Sequence, residues 1–122
     1  MGTRRWLGAA VGAAFAAGCA VAPGAASEDD LTVKYRAAHE GRDVYAALRL
    51  VHWDESTQRD HGEIVAMFEG LFRRTLRDLR VDSSTAPGAW NLIVECEGTQ
   101  TEWVFPIGRF GGRAYLAFRR AP

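Results

Sequence analysis

Residues 61–80, HGEIVAMFEGLFRRTLRDLR, carry the strongest periodicity in the chain. Ile64, Phe68, Leu71, Phe72, Leu76 and Leu79 fall on one side of a helical wheel, and Glu69, Arg73, Arg74, Arg77 and Asp78 fall mostly off it. That spacing predicts an amphipathic helix whose apolar stripe faces a core. Asp60 followed by Glu63 has the spacing of a capping box, which satisfies the first free N–H groups of a helix. The arginines towards the end suit the negative pole of the helix dipole, and as a group they are expected to form a solvated face. Ile64, Phe68, Leu71, Phe72 and Leu76 are the predicted core of this element.

Downstream the period changes from 3.6 to two. The turn-forming run Asp82-Ser83-Ser84-Thr85-Ala86-Pro87-Gly88 marks the break. Trp90, Leu92, Val94 and Cys96 then share one face of a strand, and Trp103 and Phe105 share a face of a second, across a loop at Glu97-Gly98-Thr99-Gln100. Gly111-Gly112 offers a tight turn before a third strand over 113–119, where Ala114, Leu116 and Phe118 alternate. Upstream, Val44, Ala47, Leu48 and Val51 predict a helix within 42–53. Leu31, Val33, Tyr35 and Ala37 alternate in a way that suits a short strand over 31–38, a helix beginning nearby being the alternative. The expected fold is α+β, with one or two helices packed on a small antiparallel β-meander and no internal repeat.

The N-terminus reads as an export signal. Arg4 and Arg5 precede an apolar stretch from about Leu7 to Ala22, rich in Ala and Gly and short against the ~20 residues of a transmembrane helix. Three junctions suit removal of the leader. Ala20-Val21-Ala22 has small residues but is followed by Pro23, whose fixed backbone and missing N–H hinder processing. Gly24-Ala25-Ala26, followed by Ser27, has no such obstacle and is preferred. Ala16-Ala17-Gly18-Cys19 resembles a lipoprotein box, in which Cys19 would carry lipid. The expected organisation is a leader over 1–26 and a single small domain over 27–122, working in the periplasm, with no transmembrane segment once the leader is gone.

With the leader the chain loses two of its 15 basic residues and keeps all 15 acidic ones. Near-neutrality argues against a nucleic-acid binder. About 95 residues form a core that only just offsets chain entropy, so a homo-oligomer or a partner is a natural source of further burial. Cleavage after Ala26 leaves Cys96 without an intramolecular partner, either as a buried small hydrophobe or as an intermolecular bridge. His52, Asp54, His61 and Glu63 gather near one helix entrance, but their spacing matches no zinc site. No serine stands in a nucleophile elbow, and no glycine loop is built to cradle phosphate. The expectation is a non-enzymatic protein without metal or cofactor, a small metal-dependent envelope enzyme being an alternative and a structural or binding lipoprotein another.

Three short blocks resemble the periplasmic accessory protein of curli biogenesis, the E component of that secretion system. Gly41-Arg42-Asp43-Val44-Tyr45-Ala46-Ala47-Leu48 followed by Trp53 is similar to its early block. Leu79-Arg80-Val81-Asp82 through Gly88-Ala89-Trp90 resembles its strand and Gly-Ser-Trp entry, and Phe105-Pro106-Ile107 its Phe-Pro-Leu. The blocks cover about half the mature chain, and the helix over about 61–78 would be an insertion. The resemblance implies an adaptor that assembles as a ring, caps an outer-membrane secretion channel and directs unfolded amyloid fibre subunits into it. Independently of it, the dense aromatics near Trp103-Val104-Phe105-Pro106, with a proline expected to interrupt pairing, make these residues the candidate partner or oligomer surface, at an edge able to accept another chain.

Overall fold

A computed structural model describes residues 22–83 and 89–118. The order is α1 (Glu28–Glu40), α2 (Val44–Leu48), α3 (Glu55–Arg59), α4 (His61–Leu71), then β1 (Leu76–Ser83), β2 (Trp90–Cys96), β3 (Glu102–Phe110) and β4 (Arg113–Leu116). The strands form one antiparallel meander in the order β1-β2-β3-β4, an α+β arrangement. Among the described residues four helices, rather than one or two, accompany the sheet. Residues 1–21, with Cys19, residues 84–88, with Gly88, and residues 119–122, with the end of the predicted strand 113–119, lie outside the described residues.

Three elements differ from the sequence expectation. Residues 31–38 are not a strand but the middle of α1. Ser27 caps it, its Oγ accepting from the Asp30 N–H at 3.0 Å, and Glu28, Asp29 and Asp30 occupy the first turn, where the helix dipole favours acids. The buried residues Leu31, Tyr35, Ala38 and His39 follow the helical period. The long helix over 61–80 is in fact two elements. α4 stops at Leu71 and turns through Phe72, and Leu76–Ser83 becomes β1, paired along β2 from Leu76↔Cys96 to Ser83↔Trp90. Leu76 and Leu79, three apart, fit the helical period; in β1 a bulge between Leu76 and Asp78 brings both to the inner face, opposite Cys96 and Val94. Asp60 makes no side-chain cap hydrogen bond to α4.

The predicted helix over 42–53 is confined to α2. Leu50–His52 instead runs beside β4: the Leu116 N–H donates to the Leu50 carbonyl at 2.7 Å, and the His52 N–H to the Leu116 carbonyl at 2.9 Å. The hairpin turn at Gly111-Gly112 is as expected, with φ of 59° and 76° in the left-handed region that a two-residue loop between Phe110 and Arg113 requires. The core lies between the helices and the inner sheet face, where Tyr35, Phe68 and Phe72 meet Leu92, Val94, Phe105 and Leu116. Phe68 sits 5.6 Å from Phe72 and 6.1 Å from Phe105, ring centre to ring centre, within the range of favourable aromatic pairs.

Candidate interaction face and strand edge

Register divides the four proposed surface residues between two faces. Trp103 and Phe105 pair with Val94 and Leu92 and point with them into the core. Phe105 is buried; Trp103 packs against the cluster, with the Arg74 guanidinium 5.9 Å from its ring centre. These two are therefore not a docking surface, because the alternation that aligns them also turns them inward. Val104 and Pro106 face outward and are exposed, Val104 at 52 %.

β3 is not an edge strand either, since β2 and β4 flank it. β4, however, pairs only with Ile107–Phe110, and one further bond runs from the Ala117 N–H to the Pro106 carbonyl at 2.8 Å. Among the described residues no strand pairs with that side of Glu102–Phe105. Groups on alternate residues of an antiparallel strand point the same way. Pro106 turns its carbonyl towards Ala117, so Val104 and Glu102 direct their N–H and C=O groups to the same side, where no described residue pairs with them. The opposite condition holds at the outer edge of β4, which Ala25 covers at Ala114 and Leu50–His52 covers at Leu116.

Beside this step lies a charge network that sequence reading missed. Arg80 on β1 reaches Asp78 at 2.8 Å, Glu95 on β2 at 2.5 Å and Glu102 on β3 at 2.6 Å, while Arg77 binds Glu95 at 2.8 Å. One guanidinium thus joins three strands across the outer face. The hydrogen bonds from Arg80, and then those from Arg77, pull the Glu95 carboxyl down to about 2, and the carboxylates hold Arg80 above its ordinary value. The signal was present in opposite charges spaced by two, but it was read within a helix.

The residues of the family-like blocks hold corners and helix ends. Gly41 caps α1, and its N–H donates to the Ala37 carbonyl at 2.9 Å. Asp43 caps α2, accepting from the Ala46 N–H at 3.1 Å. Trp53 donates its indole N–H to the Leu48 carbonyl at 2.9 Å. Tyr45 and Trp90 are exposed on separate elements.

His52, Asp54, His61 and Glu63 do not converge. The His52 ring stacks on Phe110 at 3.5 Å, His61 lies against Trp53 at 5.2 Å, and Asp54 caps α3 by accepting from the Thr57 N–H and hydroxyl, each at 2.7 Å. Among the described residues no group of three or more His, Cys, Asp or Glu is placed to hold a metal ion. Cys96 is fully buried, and burial pushes its thiol up, away from the reactive thiolate. A cavity of about 250 Å³ between α1 and α2 includes Lys34, Asp43 and Arg49, but Lys34 already contacts Asp30 at 3.5 Å and Asp43 is the α2 cap.

A second polar feature, also unforeseen, lies inside the core. The Tyr35 hydroxyl and His39 Nδ1 are 2.9 Å apart, and His39 Nε2 lies 2.9 Å from the Arg74 carbonyl. The carbonyl can only accept, so Nε2 carries the proton and Nδ1 accepts from Tyr35. Burial lowers the His39 pKa and raises that of Tyr35, keeping both neutral.

No helix among the described residues is long and apolar enough to cross a membrane. Comparison with protein-family models, with curated proteins and with solved structures finds no match to this chain.

Proposed function

We propose that this chain is an exported, non-enzymatic adaptor that engages an extended polypeptide by strand addition at the step in its sheet. The observation that carries the reading is the run Glu102–Phe105, where among the described residues β3 extends past β4, with Val104 exposed and its backbone groups on the side that no described strand pairs. Backbone pairing at such a site gives affinity, and the outward side chains at alternate positions give selectivity. The resemblance of the Gly41–Trp53, Leu79–Trp90 and Phe105–Ile107 blocks to the curli accessory family supplies the polypeptide's class: an unfolded amyloid fibre subunit bound for an outer-membrane channel. Assembly of several copies around such a channel is part of the same reading.

The test is direct. Purified protein is titrated with an unfolded fibre subunit, and its mass in solution is measured with and without that subunit. The expected result is saturable binding and an oligomer larger than a dimer, both lost in Val104→Lys while the circular dichroism spectrum is kept. A strictly monomeric protein that binds no subunit, and whose deletion leaves fibre export unchanged, overturns the reading.

A further inference from the structure

Pro23–Ala26, placed at the end of the leader by the cleavage pattern, is built into the domain. Ala25 is fully buried and exchanges both backbone hydrogen bonds with Ala114 on β4, each 2.8 Å. The Gly24 N–H donates to the Arg49 carbonyl at 2.8 Å, and the Gly24 carbonyl accepts from Lys34 and from Arg113, both at 3.4 Å. Arg113 Nε also donates to the Pro23 carbonyl at 2.7 Å, and the Ala26 N–H donates to Asp30 at 2.9 Å. Gly24 has φ of +73°, and a Cβ there would lie 2.7 Å from the Tyr115 ring, so only glycine fits.

A cut after Ala26 would discard all of these contacts. It would uncover the β4 backbone at Ala114 and leave a hole at Ala25. A segment destined for removal has no physical reason to carry a left-handed glycine fitted against an aromatic ring and a buried alanine in register with a strand. Ser27 and the three acids after it, which look like a fresh N-terminus in the sequence, are already accounted for as the capped first turn of α1.

We infer that the leader is removed upstream of Pro23, so that Pro23–Ala26 remains as the first structural segment of the working protein. The inference rests on the export reading above. Both other junctions, after Ala22 and before Cys19, satisfy it.

The experiment uses the full chain expressed in a host with an outer membrane, fractionated, with the N-terminus of the envelope form determined by intact mass and terminal-peptide sequencing. Three substitutions accompany it. Ala26→Leu places a bulky residue at the preferred junction on an exposed position, whereas Ala22→Leu and Cys19→Ser each disable one upstream junction. The expected N-terminus is Pro23, or Cys19 with or without lipid. Ala26→Leu is then processed like the parent, and one of the other two accumulates as precursor. A start at Ser27, or loss of processing in Ala26→Leu, overturns the inference and leaves export standing. Protein held uncut in the cytoplasm overturns both.

Discussion

The two faces of the sheet are made from alternating residues of the same strands, yet they are stabilised by different physics. The inner face buries Leu92, Val94, Phe105 and Leu116 against the aromatic rings of α1 and α4. Removing such surface from water is worth roughly 25 cal/mol per Å² and is little affected by salt. The outer face carries Arg80 among three carboxylates, where solvent screens each pair and chain entropy opposes it. The inner face therefore sets stability, and the outer face contributes little to it.

The sharpest way to break this contrast is Phe68→Ala, expected to cost about 3–5 kcal/mol, a large part of a small domain's stability. Urea denaturation measures it; wild-type stability in that variant would move the core elsewhere. Gly24→Ala should cost about 1–3 kcal/mol, because the new Cβ meets Tyr115 and the left-handed backbone is strained. The same titration checks it, and a neutral result would show that the N-terminal segment contributes nothing.

The inner face also predicts a pH dependence. Burial depresses the His39 pKa in the folded state below the ordinary 6.5, so the unfolded chain binds the extra proton first. Stability is then full above about 6.5 and falls as the pH drops from there towards the folded-state pKa. Denaturation at pH 8 and at pH 5 should show this fall, and His39→Leu should remove the histidine part of the slope while lowering stability at both.

Smaller effects belong to the outer face. Val104→Lys should change stability by no more than about 0.5 kcal/mol, the side chain being half exposed, while abolishing the proposed association. Arg80→Gln should leave the melting midpoint nearly unchanged at physiological salt, although it breaks contacts on three strands. A marked loss there would mean that the network, and not burial, holds the meander together.

How far the sequence revealed this depends on where one period ruled the other out. Leu92, Val94 and Cys96 can only alternate, and Gly111-Gly112 can only turn, so the meander from β2 to β4 was readable. Leu76 and Leu79, three apart, read as helix, because a strand holds both on one face only through a bulge that the local pattern does not announce; the choice comes from a partner strand more than ten residues away. The N-terminal miss has another cause. Ser27 with Glu28, Asp29 and Asp30 is a helix cap as well as a polar run after a cleavage motif, and assigning it to cleavage hid α1. At the candidate site, the face shared by Trp103 and Phe105 already implies that Val104 lies on the opposite side, where it is exposed. The step beside it depends on the length of β4, which no single residue encodes.

The closure of β4 has a consequence for the order in which the chain becomes a protein. Glu28 meets Arg109 across 81 positions, and Pro23 meets Arg113 across 90. These contacts join the first described segment to the last strand, the kind of sequence-distant pairing that slows folding and cannot begin until both ends exist. While the final hairpin is still being synthesised, Ala25 and Leu50–His52 have no strand to lie against. Closing the β4 edge is therefore a late step of folding, which waits for residues 107–116 to be made.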